Sequence, residues 1–189
     1  MKNFFKVFIL IAGFVLYFNA NSFATVSVAA YGGYSFGRLE FNSLPDEEDL
    51  KNIVFIKGPQ FGLKSHYNIE LTPSIDLGLG AFFQYTRFKY YDYDGKALRT
   101  AAGLDVNFVF STPSDFYPYV VVNYSLYDKL DLRDMGDEKI SGHGVGIGCG
   151  LEYGISSNVR LSAEMMHEML TYKKHCITMV FNAGLKILF

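Results

Sequence analysis

The sequence predicts an all-β fold: an eight-stranded antiparallel up-and-down transmembrane β-barrel, preceded by a cleaved signal peptide. Three observations predict it. About eight segments alternate apolar and polar residues with a period of two, the signature of strands whose two faces meet different surroundings. Their connections alternate between short turns and longer loops, as periplasmic turns and extracellular loops do in membrane barrels. The face opposite the apolar one holds scattered charges and, in one segment, a row of five glycines. That composition suits a narrow, filled lumen, whereas a soluble lipocalin-like barrel would need a densely polar exterior.

Residues 1–24, MKNFFKVFILIAGFVLYFNANSFA, read as a secretory signal peptide. Lys2 and Lys6 form its charged start, Val7 to Phe18 its apolar core, and Ser22-Phe23-Ala24 a small-x-small cleavage site before Thr25. No cysteine sits at the cleavage point, which disfavours a lipoprotein. Residues 25–189 then form one domain, in which no apolar run reaches membrane-helix length. Cleavage removes two of the 17 basic residues and none of the 19 acidic ones, leaving 15 against 19, a formal charge of −4. That balance gives no support for a nucleic-acid partner. Cys149 and Cys176 fall on non-adjacent strands with opposite facing, so free thiols without assigned chemistry are expected.

The first segment, Val26 to Phe36, places Val26, Val28, Ala30, Tyr34 and Phe36 on one face, and a long polar connection with Pro45-Asp46-Glu47-Glu48-Asp49 follows. The second sets Phe61, Leu63, Tyr67 and Ile69 against Gly62, Lys64, His66, Asn68 and Glu70, and turns at Leu71-Thr72-Pro73-Ser74. In the third, Ile75, Leu77, Leu79, Ala81, Phe83 and Tyr85 oppose Asp76, Gly78, Gly80, Phe82, Gln84 and Thr86; a Tyr- and Asp-rich loop ends it. The fourth sets Ala102, Leu104, Val106, Phe108 and Phe110 against Arg99, Ala101, Gly103, Asp105 and Asn107, with a short turn at Thr112-Pro113-Ser114-Asp115. The fifth, Pro118 to Leu126, alternates least cleanly and leads into a charged loop, Asp128 to Lys139. The sixth sets His143, Val145, Ile147, Cys149, Leu151 and Tyr153 against Gly142, Gly144, Gly146, Gly148, Gly150, Glu152 and Gly154. After the turn at Ser156-Ser157-Asn158 comes the seventh, with Val159, Leu161, Ala163, Met165, His167 and Met169 opposing Arg160, Ser162, Glu164, Met166 and Glu168. A short basic loop with Lys173 and Lys174 leads into the eighth, which ends at Phe189.

An even strand count places both termini on the periplasmic side. With odd strands running outward, Tyr67, Phe108, Phe110, Tyr153 and Phe189 form a periplasmic aromatic girdle, and Tyr34, Phe36, Tyr85 and Tyr124 an extracellular one. The last strand carries Ile177, Met179, Phe181, Ala183, Leu185, Ile187 and Phe189 on one face. With its terminal Phe it resembles the C-terminal signal by which bacterial outer-membrane barrels are recognised by their insertion machinery. The resemblance implies an assembly signal in Phe189, Ile187, Leu185 and Phe181, with the secretion pathway and the barrel-insertion machinery as partners and outer-membrane lipids as surroundings. Deleting Phe189 should then impair assembly more than any binding activity.

Charges in so narrow a lumen must be paired. A tight hairpin at 156–158 puts Glu164 opposite Gly150 and Glu152 opposite Ser162, with Arg160 one pleat away and Lys186 on the neighbouring strand. An internal Glu152/Arg160/Glu164/Lys186 network is therefore expected, a structural plug with a proton or ion pathway as its functional rival. The glycines opposite Glu164 and Glu168 are expected to make room for those side chains. The stretch GVGIGCGLEYGISSNVRLSAEMMHEM and the terminal strand resemble the small opacity-protein-like and OmpA-like outer-membrane β-barrel family. The matching positions are Gly148, Gly150, Glu152, Tyr153, Leu161, Ala163 and Glu164; Met165-Met166 stands where an aromatic is common.

That resemblance implies a non-enzymatic, porin-like or adhesin-like surface protein of the bacterial outer membrane, acting in adhesion to host or matrix proteins or in envelope structure. Acidic loop residues Asp46, Glu47, Glu48, Asp49, Asp131, Asp134, Asp137 and Glu138 are candidate contacts to a basic partner, against the plainer role of solvating the loops. The rival class is a lipid A-modifying enzyme, which needs a nucleophile, a base and an orienting carboxylate near the outer rim. The lipid A deacylases carry a His-x-Ser pair, but the residues two after His66, His143, His167 and His175 are Asn68, Val145, Met169 and Ile177. His143 and His167 face outward on adjacent strands, as interface residues do. A narrow diffusion channel is a third reading. No catalytic, cofactor-binding or metal-ligating residue is assigned, and no calcium-loop spacing occurs.

Overall fold

Each alternating segment becomes a strand. The computed structural model describes residues 24–40, 53–91, 95–132, 138–171 and 175–189. The strands are β1 (Ala24–Glu40), β2 (Ile53–Thr72), β3 (Ile75–Tyr90), β4 (Lys96–Phe110), β5 (Phe116–Leu132), β6 (Glu138–Ser156), β7 (Val159–Thr171) and β8 (His175–Leu188). Each pairs antiparallel with the next, and β8 closes onto β1, so no edge is left unpaired. The expected signal peptide lies outside the described residues.

Closure sets the geometry. Paired residues lead once round the ring from Ser27 through His66, Gly80, Asp105, Asn123, Gly146, Glu168 and Thr178 to Gly37, ten residues further along β1. With eight strands this stagger requires a tilt of about 40°. At that tilt the 20 residues of β2 rise about 50 Å, roughly twice the ~25 Å apolar height of a membrane barrel.

The apolar face points outward. Val28, Phe61, Leu63, Leu79, Leu104, Val122, Ile147, Leu161 and Leu185 are all exposed, while the opposite face is buried within the ring. A continuous apolar belt of this kind is stable only against lipid. Rings stack at both of its borders: Phe116 on Tyr153 at 5.0 Å near the periplasmic end, Tyr34 on Phe36 at 4.8 Å and Phe61 on Tyr85 at 5.0 Å near the other. The periplasmic end is also laced together by backbone hydrogen bonds. Ser111 donates to Ser74, Gly154 to Asp115 and Leu188 to Asn158, and Phe189 donates to Val26 at 2.8 Å, continuing the closing ladder.

One irregularity reorganises the outer end. On β5, Ser125 pairs with Gly103 and Tyr127 with Ala102, so Leu126 is an extra residue. This bulge leaves both Leu126 and Tyr127 outward and turns Asp128, Leu130 and Leu132 into the lumen. The charged loop expected from Asp128 to Lys139 is corrected accordingly: β5 runs to Leu132 and β6 starts at Glu138.

Candidate functional site

The lumen is filled in layers, each built by strands that bring one inward side chain to the same height. At the periplasmic mouth Glu152 of β6 accepts Arg160 Nη1 at 3.0 Å and Lys186 Nζ at 2.8 Å. The Arg160 guanidinium also lies 3.9 Å from the Tyr117 ring centroid. A vestibule of about 290 Å³, lined by Asn68, Glu70, Asp76, Arg160 and Lys186 among others, sits beside this layer.

Above it Lys64 of β2 reaches across the barrel to Glu164 of β7, at 2.7 and 3.0 Å, and lies 3.3 Å from Asp105 of β4. Asp105 also meets His66 Nε2 at 2.5 Å. Glu164 accepts further bonds from Tyr119 Oη at 3.1 Å and Asn182 Nδ2 at 3.3 Å. Buried carboxylates are tolerable only with such multiple donors. From Asn182 the polar chain climbs through Gln60 (3.2 Å) to Gln84 and Thr86, which both donate to Gln60 Oε1 at 2.9 and 3.1 Å.

The third layer centres on Arg99, 1% exposed. Its Nε and Nη2 take both oxygens of Asp128 at 3.1 and 2.7 Å, and its Nη1 takes Glu168 Oε2 at 2.5 Å. Thr178 donates to the same Glu168 oxygen at 3.1 Å. The planar guanidinium is the side chain suited to bridging two carboxylates in fixed geometry.

Over this layer the lumen turns apolar. Leu39, Ile56, Phe88, Ala97, Leu130 and Leu132, Ile140, Leu170 and Cys176 come one or two from every strand and form a single buried cluster. The lumen is thus closed at its outer end, while at the periplasmic mouth a vestibule leaves Glu70, Asp76 and Arg160 beside open space.

Of the network expected from sequence, Glu152, Arg160 and Lys186 come together, with Glu164 opposite Gly150 and Glu152 opposite Ser162. Glu164 does not join them. It belongs to the Lys64 layer, because Lys186 is held by Glu152 one layer below while Lys64 points at Glu164 from the far wall. The glycines of β6 also serve other side chains than expected. A Cβ at Gly150 would collide with the Tyr119 ring, at Gly146 with the Asn123 amide, and at Gly148 with the Met165 carbonyl and the Met166 side chain, so the space is taken by groups other than Glu164 and Glu168. Phe181, Leu185, Ile187 and Phe189 all face outward and are exposed. Asp46, Glu47, Glu48, Asp49, Asp134 and Asp137 lie outside the described residues; Asp131 is in strand β5 and Glu138 opens β6, so neither is a loop residue. Cys149 is exposed on the outer face, Cys176 is buried in the apolar cap, and both are free. His143 opposes Thr171, and His167 opposes Ile147 with its Nδ1 3.2 Å from Met179 Sδ, so the two outward histidines are not paired.

The Lys64/His66/Asp105/Glu164 and Arg99/Asp128/Glu168 clusters are absent from the sequence reading. The parity of β2 and β4 already put Lys64, His66 and Arg99 inside; their partners across the ring required closure, and Asp128 required the bulge.

The model of the outer membrane protein beta-barrel domain matches residues 10–189 of the chain. Among solved structures, Neisserial surface protein A superposes with a TM-score of 0.62 at 20% identity, over 89% of this chain and 100% of that one. AlkL, solved in lipid bilayers, superposes with 0.53 at 12% identity, over 87% and 90%. The attachment invasion locus protein Ail of Yersinia pestis reaches 0.49 at 16% identity, over 86% and 99%. No curated protein sequence matches the chain.

Proposed function

The chain belongs to the outer membrane protein β-barrel family, and so to the bacterial outer membrane; from that premise we propose that it is a non-enzymatic surface protein that presents extracellular loops to host or matrix proteins or to the envelope. The observation that carries this reading is the apolar cap. A lumen closed by packed side chains at its outer end speaks against a passage, and the long outer strand ends hold up the loops as a surface for partners. The loop segments 41–52 and 133–137 hold the acidic candidates Asp46, Glu47, Glu48, Asp49, Asp134 and Asp137.

The test uses cells expressing either the whole chain or a chain with residues 41–52 and 133–137 replaced by Gly/Ser segments of equal length, applied to surfaces coated with fibronectin, laminin or collagen. Binding to one of these should fall about tenfold or more with the replaced loops, while a heat-dependent shift in SDS gel migration shows the barrel still folded. Equal binding by both chains removes the adhesive reading. Lipid A mass spectra of the same cells separate the enzymatic rival, for which the profile should change on expression. Large, steady single-channel steps in planar bilayers would instead favour the diffusion channel.

A further inference from the structure

The periplasmic mouth carries charge of both signs that its own side chains leave unneutralised. On one wall Glu70 of β2 pairs directly with Asp76 of β3, and their strand parity, shared with Asn68 and Gly78, turns both toward the lumen. Like charges directly opposite on paired strands destabilise the sheet that carries them. Among the described residues neither carboxylate accepts a hydrogen bond or forms an ion pair. On the other wall Arg160 of β7 pairs with Lys186 of β8, and these two cations share one carboxylate, Glu152. Two negative charges thus stand in excess on the first wall and one positive charge on the second.

The walls face each other, since β3 and β7 are four strands apart in a closed ring of eight. Between them lies the vestibule that Glu70, Asp76, Arg160 and Lys186 all line. Lys186 is buried, Asp76 and Arg160 are half-buried and Glu70 is exposed, so the charges grade from the lumen toward the periplasm. The apolar cap seals the far end of the barrel, which makes this a blind pocket entered from the periplasm alone. Its volume is near the lower end of small-molecule sites, the size of an amino acid or a dipeptide.

We propose that the vestibule binds small periplasmic zwitterions, molecules with one free ammonium and one free carboxylate. The ammonium sits between Glu70 and Asp76, where it turns their repulsion into attraction. The carboxylate sits on Arg160 and Lys186, which together hold the surplus positive charge, and the planar guanidinium can donate to it from nitrogens that Glu152 leaves unused. A diamine satisfies one wall only, and a dicarboxylate only the other. The site lies at the opposite end of the barrel from the loops, so it neither requires nor tests their adhesive role.

The experiment titrates the full chain, refolded in phosphatidylcholine nanodiscs, with alanine and dialanine by ligand-observed NMR. The N-acetylated forms, which lack the ammonium, and the amides, which lack the carboxylate, are titrated alongside. At least one zwitterion should bind, with either blocked form weaker by about tenfold or more. Tighter binding of alanine identifies a free amino acid as the source, and of dialanine a peptide; both keep the site. Glu70→Gln/Asp76→Asn and Arg160→Gln should each weaken the zwitterion about tenfold. Asp115→Asn, which removes a periplasmic carboxylate outside the vestibule, should leave it unchanged. Equal binding of zwitterion and blocked forms, no binding of either zwitterion, undiminished binding by Glu70→Gln/Asp76→Asn, or an equal loss in Asp115→Asn would overturn the proposal in favour of merely solvated charges. If Arg160→Gln loses its heat-dependent migration, the carboxylate variant alone decides, because Glu70 and Asp76 hold no other group of the lumen in place.

Discussion

The two ends of the lumen solve one packing problem in opposite ways. From the periplasmic mouth to Arg99 the interior is mainly polar and ion-paired, with a smaller apolar cluster of Val109, Tyr119, Val121, Met166 and Val180 packed among the charges; from Phe88 outward it is apolar and sealed. The exterior changes in the reverse sense, from lipid-facing Leu and Val to Lys57, Arg87 and Lys89. A single strand therefore inverts its polarity along its length. β3 reads apolar-out up to Tyr85 and apolar-in from Phe88, whereas β2 turns apolar inside at Ile56 and Val54 while still carrying Phe55 and Ile53 outward beyond Lys57. The inversion marks where lipid gives way to water. Below it the outer wall is already satisfied by lipid and the lumen can hold costly charges that fix side-chain geometry; above it the wall must face water, so burial inside supplies the hydrophobic stabilisation.

The largest expected effect comes from leaving charge unpaired at the boundary. Arg99→Ala removes the guanidinium that bridges Asp128 and Glu168 and should cost about 3–5 kcal/mol in urea unfolding from liposomes. Replacing the whole group, Arg99→Met/Asp128→Leu/Glu168→Met, extends the apolar cap by one layer and should recover most of that loss. If the single substitution is silent, the ionic layer is not structural. Phe88→Ala in the cap should cost about 3–4 kcal/mol in the same assay, and a much smaller loss would mean that the outer end packs loosely. Gly148→Val drives a side chain into the Met165 carbonyl and the Met166 side chain and should cost about 1–3 kcal/mol, with little relief from Met166→Ala because the backbone contact remains. The smallest change is expected at the open mouth: Arg160→Gln, whose side chain is 17% exposed, should cost under about 1 kcal/mol and less still at high salt.

This division also explains what the sequence reveals. Strand number, facing and both aromatic girdles are legible because lipid forces an unbroken outward alternation on every strand. The Glu152–Arg160 pair is legible too, since the residues are eight apart across one hairpin. Lys64 and Glu164 are 100 residues apart on non-adjacent strands, and their contact depends on the radius of the closed ring, which no local pattern encodes. Strand ends are missed for another reason. Past the girdle the clean apolar-out alternation is lost, so Ile53 to Gln60 and Asp128 to Leu132 read as connections although each belongs to a strand.

The extra residue at Leu126 gives β5 an unusual genetic property. Its two halves are in different phase by residue number, and removing one residue between Ser125 and Asp128 would straighten the ladder while leaving Asp128, Leu130 and Leu132 in the lumen. For that one strand a single-codon deletion at the bulge is silent for facing, whereas deleting both Leu126 and Tyr127 acts on the protein as a frameshift acts on a message, keeping every downstream residue and exchanging its meaning: Lys129 and Asp131 would swing into the lumen while Leu130 and Leu132 swung out.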